Sequence, residues 1–367
     1  MKKITFYTHL YEDFQERMDQ FKNECSECQI VGASDENTLI REISDSHAVV
    51  WGNPKVEILE KAPKLEMVFI PFTGVNRLPF DYLIKRGIKV SNNHGNTPIV
   101  AERAVSLALA ITGRVVEYHN DMKMGDWHRN YDGGSPFDLW TSIQKKKVTI
   151  LGCGAIGKNI AKLLQGFDCE ITGFKRNYTE NIEGFHHITN DLEKALRDPH
   201  VIFITLPLTE GTKELINQKN SHLLKDKFLV NVARGEIIEE KTLYESLKNG
   251  ILKGAAIDCW YNYPNSKMHY ALPSHYPVHK LKNIVISPHA ASHSVEGKLF
   301  QLEDTLMNIK AYIKTGLPVD LVDLRATKRV DHTFLGILNN YSVILSTSLN
   351  LSFKSVYKPL NCSYNLS

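Results

Sequence analysis

The sequence predicts an α/β protein made of two doubly wound parallel sheets, and three observations carry that prediction. Short apolar runs alternate with charged amphipathic stretches from the first residue. The alternation starts afresh at Lys147, after a loop over 125–140 rich in Gly, Asp and Trp. The second series opens with a glycine triplet, Gly152, Gly154 and Gly157, set between a strand-like run and a helix-like one. A chain of 367 residues, 43% hydrophobic, has enough apolar matter for two or three domains. Its 44 Lys+Arg against 41 Asp+Glu leave a net charge of +3. No field of one sign dominates, which argues against nucleic acid or a membrane as partner and for a small molecule.

In chain order, "KITFYTH", "ECQIVGA", "HAVVWG", "LEMVFI" and "GIKVSN" read as strands of the first sheet. The stretch "PIVAERAVSLALAITGRVVEYH" predicts one long helix, with Pro98 in its first turn and few polar residues on any face before Arg114. Such a helix is expected to be buried between two domains. The second sheet begins at Lys147 and continues through "CEITGFK", "HVIFITLP", "FLVNVA", "KGAAIDCW" and "NIVISPH". A last helix, "SVEGKLFQLEDTLMNIKAYIKTG", has the spacing to pack back on the first domain. The tail, 324–367, carries no charged residue from Thr333 to Phe353 and predicts a peripheral extension of unknown role.

The start, "MKKITFYTHLYEDF", meets Glu12 and Asp13 too soon for a signal peptide, so a cytoplasmic protein is expected. No apolar run approaches the roughly 18 residues that span a bilayer. Cys25 and Cys28 form a lone CxxC without a second pair of soft ligands nearby, so no metal is expected and they read as surface or strand-edge thiols.

Gly152 permits the tight turn, Gly154 lets backbone approach a pyrophosphate, and Gly157 lets helix pack on strand. A diphosphate then lies over the free amides of the helix N-terminus, at Ala155 and Ile156. This predicts a Rossmann-like dinucleotide site; the bland alternative is a merely structural turn. About 20 residues after the glycines such folds place an acid that takes the ribose 2′-hydroxyl. Here that place holds Lys175, followed by Arg176 and Asn177. Cations suit a 2′-phosphate, so NADP(H) is expected over NAD(H). The alternative is two solvated charges at a strand end with NAD bound.

Further motifs, "FTGVNRLPFDYLIKRGIKVSNNHGNTPIVAE", "LPLTEGT", "FLVNVARGEIIEEKTLYESLKNGILKGAAIDCW" and "ISPHAASHS", occur in an order that resembles the D-isomer-specific 2-hydroxyacid dehydrogenases. That family includes D-lactate, glycerate, 3-phosphoglycerate, glyoxylate/hydroxypyruvate and formate dehydrogenases. The resemblance covers roughly residues 1–323. It implies two Rossmann-like domains, a discontinuous substrate domain of 1–100 plus 293–323 and a dinucleotide-binding domain of 101–292, with a homodimer as the default. It implies hydride transfer between a nicotinamide and a small 2-oxo or 2-hydroxy acid, mainly as a reductase. Arg234 then matches the substrate arginine and His289 the acid/base histidine, roles that suit a planar guanidinium and an imidazole. Gly74 and Val75 match the amides that bind the substrate carboxylate. Thr205, Pro207, Thr209, Thr212, Val232, Ala233 and Asp258 fall on the cofactor side, Asp258 at the nicotinamide carboxamide, with turn capping as the plain alternative for Asp258 and the threonines. The loop "WGNP" at Trp51 is expected to shape the substrate side.

One departure matters for the chemistry. Where the family usually has a glutamate that orients the histidine and raises its pKa, this chain has Tyr263, in "DCWYNYPNSK". A phenol offers hydrogen bonds but no charge, which predicts a histidine that is a poorer acid at neutral pH. The segment from Tyr263 to His289, with "MHYALPSHYPVHK", also exceeds the family's usual length. The lost acid leaves two further readings, a nicotinamide-binding sensor or scaffold with weak turnover, and a formate dehydrogenase, whose members carry glutamine in that slot. Retention of Arg234 and His289 favours the reductase.

Overall fold

The computed structural model describes residues 1–75, 77–127, 139–176, 180–264 and 268–325. Two all-parallel sheets account for the two alternating series. The first contains β1 (Lys2–Tyr7), β2 (Cys28–Gly32), β3 (Ala48–Trp51), β4 (Met67–Phe69) and β5 (Lys89–Ser91), in the order β2-β1-β3-β4-β5. Between them run α1 (Leu10–Asp13), α2 (Gln15–Glu24), α3 (Glu36–Ile43), α4 (Val56–Leu59) and α5 (Phe80–Arg86). Alternate residues of one strand feed opposite cores, as a sheet covered on both faces requires. Ala48 and Val50 pack with Ile4 and Phe6 on one face, Val49 and Trp51 with Leu39 and Ile43 on the other.

The second sheet contains β6 (Lys147–Leu151), β7 (Glu170–Phe174), β8 (His187–Thr189), β9 (Val201–Ile204), β10 (Lys227–Asn231), β11 (Leu252–Ile257) and β12 (Ile284–Ile286), in the order β12-β11-β10-β9-β6-β7-β8. Helices α6 (Thr97–Thr112), α7 (Val115–Lys123), α8 (Ala155–Leu164), α9 (Leu192–Leu196) and α10 (Glu240–Lys248) accompany it. The strand order reverses between β6 and β9, so the connections leaving these two strands diverge and open a crevice at their carboxyl ends. Both domains are therefore Rossmann-like α/β units.

The chain passes between the sheets twice. After β5 it enters α6, whose Val100, Ala104, Ala108 and Ile111 pack in the second core. After β12 it returns through α11 (Val295–Thr315), whose Leu302, Leu306, Ile309 and Tyr312 pack in the first core. Ser294 caps α11 by accepting from Gly297 N–H at 2.9 Å, and Gly316 ends it with φ 77°. The two passages touch: Asn93 Nδ2 donates to Gln301 O (2.7 Å) and Thr305 Oγ1 (3.0 Å), and His94 N–H donates to Asp304 (3.0 Å).

Two expectations need correction. The stretch read as one long helix is two, because Gly113 and Arg114, at φ 52°, break it after Thr112. Cys25 and Cys28 are not surface thiols: both are buried in the first core, at the end of α2 and the start of β2, with Sγ atoms 3.2 Å apart. Burial pushes the Cys28 thiol up to about 12. The tail reading falls on residues outside those described, save that Leu324 is buried against the first core. Among the described residues no helix is long and apolar enough to cross a membrane.

Candidate active site

The site is assembled from the loops that leave the carboxyl ends of the second sheet. β6 leads into the glycine turn, and each glycine answers a different constraint. Gly152 has φ 116°, and a Cβ there would come within 2.9 Å of Thr205 backbone. A Cβ on Gly157 would lie 2.0 Å from Gly152 O, so helix and strand meet there without room for a side chain. A Cβ on Gly154 would meet nothing within 4 Å. Gly154 is thus spared a side chain for the open space before α8, whose N-terminus has no side-chain cap. The amides of Ala155, Ile156 and Gly157 face that space, which fits a pyrophosphate.

β9 ends at Ile204, and the hydroxyl of the following Thr205 donates to Gly152 O at 2.8 Å, bracing the turn. Thr212 Oγ1 donates to Pro207 O at 2.6 Å and accepts from Thr209 N–H at 2.8 Å, folding 207–212 into a compact loop. At the end of β7, Lys175 is partly buried and Arg176 exposed; Asn177 lies outside the described residues. The charges of Lys175 and Lys158 both bear on Cys153 inside the glycine turn, so this side of the turn is basic.

β10 delivers Arg234. Asn231, itself buried, accepts from Ala233 N–H at 3.0 Å and donates to Arg234 O at 2.9 Å. Val232 and Ala233 are buried, so Arg234 is the first residue of this loop that can reach outward, and its Nη1 is steadied by Ala233 O at 2.7 Å. β12 delivers His289, whose φ of 57° is the left-handed region that a non-glycine residue occupies only when held there. Asp258, at the end of β11, does the holding. Its carboxylate accepts from the Ser287 hydroxyl, from Ala290 N–H at 3.0 Å and from Ala291 N–H at 2.9 Å. Trp260 Nε1 adds a bond to Ser287 O at 2.7 Å.

Tyr263 reaches the same point. Its Oη accepts from Trp260 N–H at 2.9 Å and lies 2.9 Å from His289 Nδ1. Desolvation by burial, chiefly, raises the Tyr263 phenol and keeps it neutral. The His289 residue is exposed overall, while its ring sits against Tyr263. The desolvation of the ring by the surrounding protein lowers its pKa, and the Arg234 and Arg77 guanidiniums lower it further, against the opposing charge of Asp258. In the first domain the loop after β4 carries Gly74 and Val75. Thr73 Oγ1 donates to Asn93 O (2.9 Å) and Asn92 Nδ2 to Thr73 O (2.9 Å), which tie the loop to the end of β5. Among the described residues the Gly74 and Val75 amides donate to no protein acceptor. At the end of β3, Gly52 of the "WGNP" loop lies under the Phe72 ring: a Cβ there would be 2.6 Å from it.

Arg234, His289, Tyr263 and Asp258 are therefore brought together. Asn231, Ser287 and Arg77 were not singled out from the sequence. The first two do leave a trace in it, as polar residues closing apolar strand runs, "FLVNVA" and "ISPH". Among the described residues no cluster of His, Cys, Asp and Glu is arranged to hold a metal.

A glycine turn that fits a dinucleotide, with an arginine and a tyrosine-held histidine on loops of the same sheet, suits an oxidoreductase of the dehydrogenase kind, and comparison with known proteins is specific about which. Residues 105–291 match the family model for the D-isomer specific 2-hydroxyacid dehydrogenase, NAD binding domain. Glyoxylate reductases of Thermofilum pendens and Thermococcus litoralis are each 30% identical, over 79% and 77% of this chain and 85% of theirs. A solved Pyrococcus horikoshii structure superimposes with TM-score 0.73 at 25% identity, covering 89% of this chain and 97% of its own. An NADPH-dependent glyoxylate/hydroxypyruvate reductase from Sinorhizobium meliloti shares the fold, with TM-score 0.71 at 23% identity over 88% and 98% of the two chains. The chain belongs to the D-isomer specific 2-hydroxyacid dehydrogenase family. It is a nicotinamide-dependent 2-hydroxyacid oxidoreductase acting on a CH–OH group.

Proposed function

We propose that this enzyme works mainly as an NADP(H)-dependent reductase of small 2-oxo acids, the class to which glyoxylate belongs. The observation that carries the reading is the convergence of Arg234 and the Tyr263–His289 pair at strand ends beside the glycine turn. The bound nicotinamide would supply hydride for reduction and take it back in oxidation. Arg234 holds the substrate carboxylate and carbonyl oxygen through its planar fork, and the Gly74 and Val75 amides take the carboxylate from the opposite wall. Val232 and Ala233 backbone, Pro207 and the Thr209–Thr212 loop border the cofactor, and Asp258 takes the carboxamide in addition to clamping the His289 turn.

His289 gives a proton to the alkoxide through Nε2, since Nδ1 faces Tyr263. The phenol oxygen accepts from Nδ1–H both in the imidazolium and in the neutral tautomer that remains when Nε2 has given its proton. A carboxylate would accept the same bond and add a charge. Tyr263 therefore orients the ring without fixing its charge. The contact supports turnover over a purely sensing role.

The basic side of the turn, with Lys175, Arg176 and Lys158, supports a 2′-phosphate. Purified protein mixed with NADPH and glyoxylate, hydroxypyruvate or 2-oxobutyrate should consume nicotinamide absorbance, and cofactor binding without oxidation by any oxo acid refutes the reading. Preference is read from kcat/KM for NADPH against NADH; a clear NADH preference overturns the cofactor part. Lys175→Asp should lower the NADPH value by about tenfold or more and spare NADH. The reading includes a homodimer, checked by light scattering, and a cytoplasmic location, checked by fractionation.

A further inference from the structure

We infer that Cys25 and Cys28 form a peroxide-responsive dithiol, which closes to a reversible disulfide, shifts α11 and slows oxo-acid turnover. The turnover part rests on the reductase reading; the bridge does not. The two thiols end one turn. Cys25 follows α2 and donates its N–H to Phe21 O at 2.9 Å, and Cys28 opens β2 with its N–H on Cys25 O at 3.3 Å. A turn closed in this way keeps its end Cα atoms within about 7 Å. A disulfide spans about 4.4–6.8 Å between Cα atoms, so the backbone already suits one. The Sγ atoms stand 3.2 Å apart, with Cys28 donating toward Cys25. Ser26 and Glu27 between them are exposed, and the cysteines are 7% and 8% exposed, so the pair lies just beneath the surface. A small neutral oxidant such as hydrogen peroxide suits that depth.

The sulfurs have different parts. Desolvation, chiefly, with Cys25 and Glu27 adding to it, holds the Cys28 thiol high, so Cys28 keeps its proton and offers it to Cys25. Cys25 is the sulfur that reacts. Its thiolate attacks one peroxide oxygen, the O–O bond breaks, and the hydroxide that leaves takes up the proton Cys25 gave to solvent. Cys28 Sγ then attacks the sulfur of the Cys25 sulfenic acid, the S–O bond breaks, and the Cys28 proton leaves with the hydroxyl as water. Two thiols are oxidised to one disulfide, and one peroxide is reduced to two waters. The bond draws the sulfurs from 3.2 Å to about 2 Å. β2 resists that pull, because Cys28–Gly32 pairs along its length with Lys2–Phe6 of β1, so the end of α2 moves instead. Glu24, beside Cys25, binds Lys310 of α11 at 2.5 Å, and Met18 and Phe21 share a core with Leu302, Leu306 and Ile309 of that helix. α11 is one of the two passages between the sheets, so a shift of α2 reaches their alignment.

The test treats the full chain with hydrogen peroxide, blocks the remaining thiols with an alkylating reagent and maps the peptides by mass. A bridge between Cys25 and Cys28 should form, and four of the six cysteines should stay open to alkylation. Dithiothreitol should restore both thiols. Cys153, more exposed but with its thiol raised to about 11 by burial, should outlast the pair. In Cys28→Ser, Cys25 should be trapped as its sulfenic acid by dimedone; in Cys25→Ser, Cys28 should stay reduced. Oxo-acid kcat/KM should fall about threefold or more in the bridged wild type, return with dithiothreitol and hold in peroxide-treated Cys25→Ser, with cofactor affinity unchanged. Cys25 and Cys28 left reduced at a dose that oxidises Cys153, or bridged only once urea has unfolded the chain, sink the inference. So does a fully bridged enzyme that turns over as fast as the reduced one. No turnover of any oxo acid in either state sinks the reductase reading and the turnover part together, and the mass map alone then decides the dithiol.

Discussion

Tyr263 sets a neutral hydroxyl against Nδ1 of His289, the proposed acid/base, where the family resemblance implied a carboxylate, and the consequence is a matter of sign. Burial and two guanidiniums lower the His289 pKa against the charge of Asp258, and among the described residues Nδ1 meets the neutral Tyr263 hydroxyl where a carboxylate would have raised it. Reduction needs the protonated ring, so kcat/KM for an oxo acid should fall as pH rises through a value below that of a free imidazole. Oxidation of a 2-hydroxy acid needs the neutral ring and should rise over the same interval. Tyr263→Glu should move both limbs upward by about one to two units, which paired pH–rate profiles measure. An unmoved profile would separate Tyr263 from the acid/base step. Asn231 is the quieter neighbour. It pairs with Ala233 N–H and Arg234 O from a buried position, so Asn231→Ala should cost about 1–3 kcal/mol of stability and raise the oxo-acid KM, read by denaturation and kinetics on one preparation.

The strand-turn-helix from β6 to α8 separates structural from functional glycine. At Gly157 a Cβ would lie 2.0 Å from Gly152 O, so Gly157→Ala must push helix from strand and should destabilise the domain by about 1–3 kcal/mol. At Gly154 a Cβ meets open space, so Gly154→Ala should leave the thermal midpoint in place and weaken cofactor binding by about tenfold or more through loss of close backbone approach. Melting curves with and without cofactor distinguish the two. The turn was legible in the sequence because its constraints are local: strand, turn and helix lie within seventeen residues, 148–164. The strands other than β8 were legible because period-two burial and continuous apolar runs need only the chain itself; β8 (His187–Thr189) is three residues long with none of them buried, so it left no apolar run to read. The break after Thr112 was not, because Gly113 sits in an otherwise helical apolar pattern and only the φ of Arg114 shows that the backbone turns. Nor were the roles of Asn231, Ser287 and Arg77. Their partners are set by how loops from separate strands meet, and spacing along the chain carries no record of that.

Across the molecule, the proposed site draws on both domains, which are joined through two adjacent passages, and on that reading catalysis depends on how they are set against each other. Arg234, His289 and the glycine turn belong to the second sheet; Gly74, Val75 and Arg77 belong to the first. The connection from β5 to α6 presses on α11 where a Cβ at Gly95 would lie 2.2 Å from Phe300 O. Phe300 O is helix backbone and cannot swing aside as a side chain would, so Gly95→Ala must shift α11 or the link into α6. Neither core is centred there: α6 is packed in the second and α11 in the first, each through residues further along. The substitution should therefore tilt one domain on the other. A displacement of about 1 Å between groups that must meet is worth as much as a hundredfold in rate. Gly95→Ala should lower kcat/KM for the oxo acid by about ten- to a hundredfold and leave the dissociation constant of the cofactor, held by the second domain, within about threefold. Fluorescence titration of the cofactor beside steady-state kinetics tests it. If cofactor binding falls as steeply as turnover, the dinucleotide is not held by the second domain alone, and the division of labour between the two sheets is wrong.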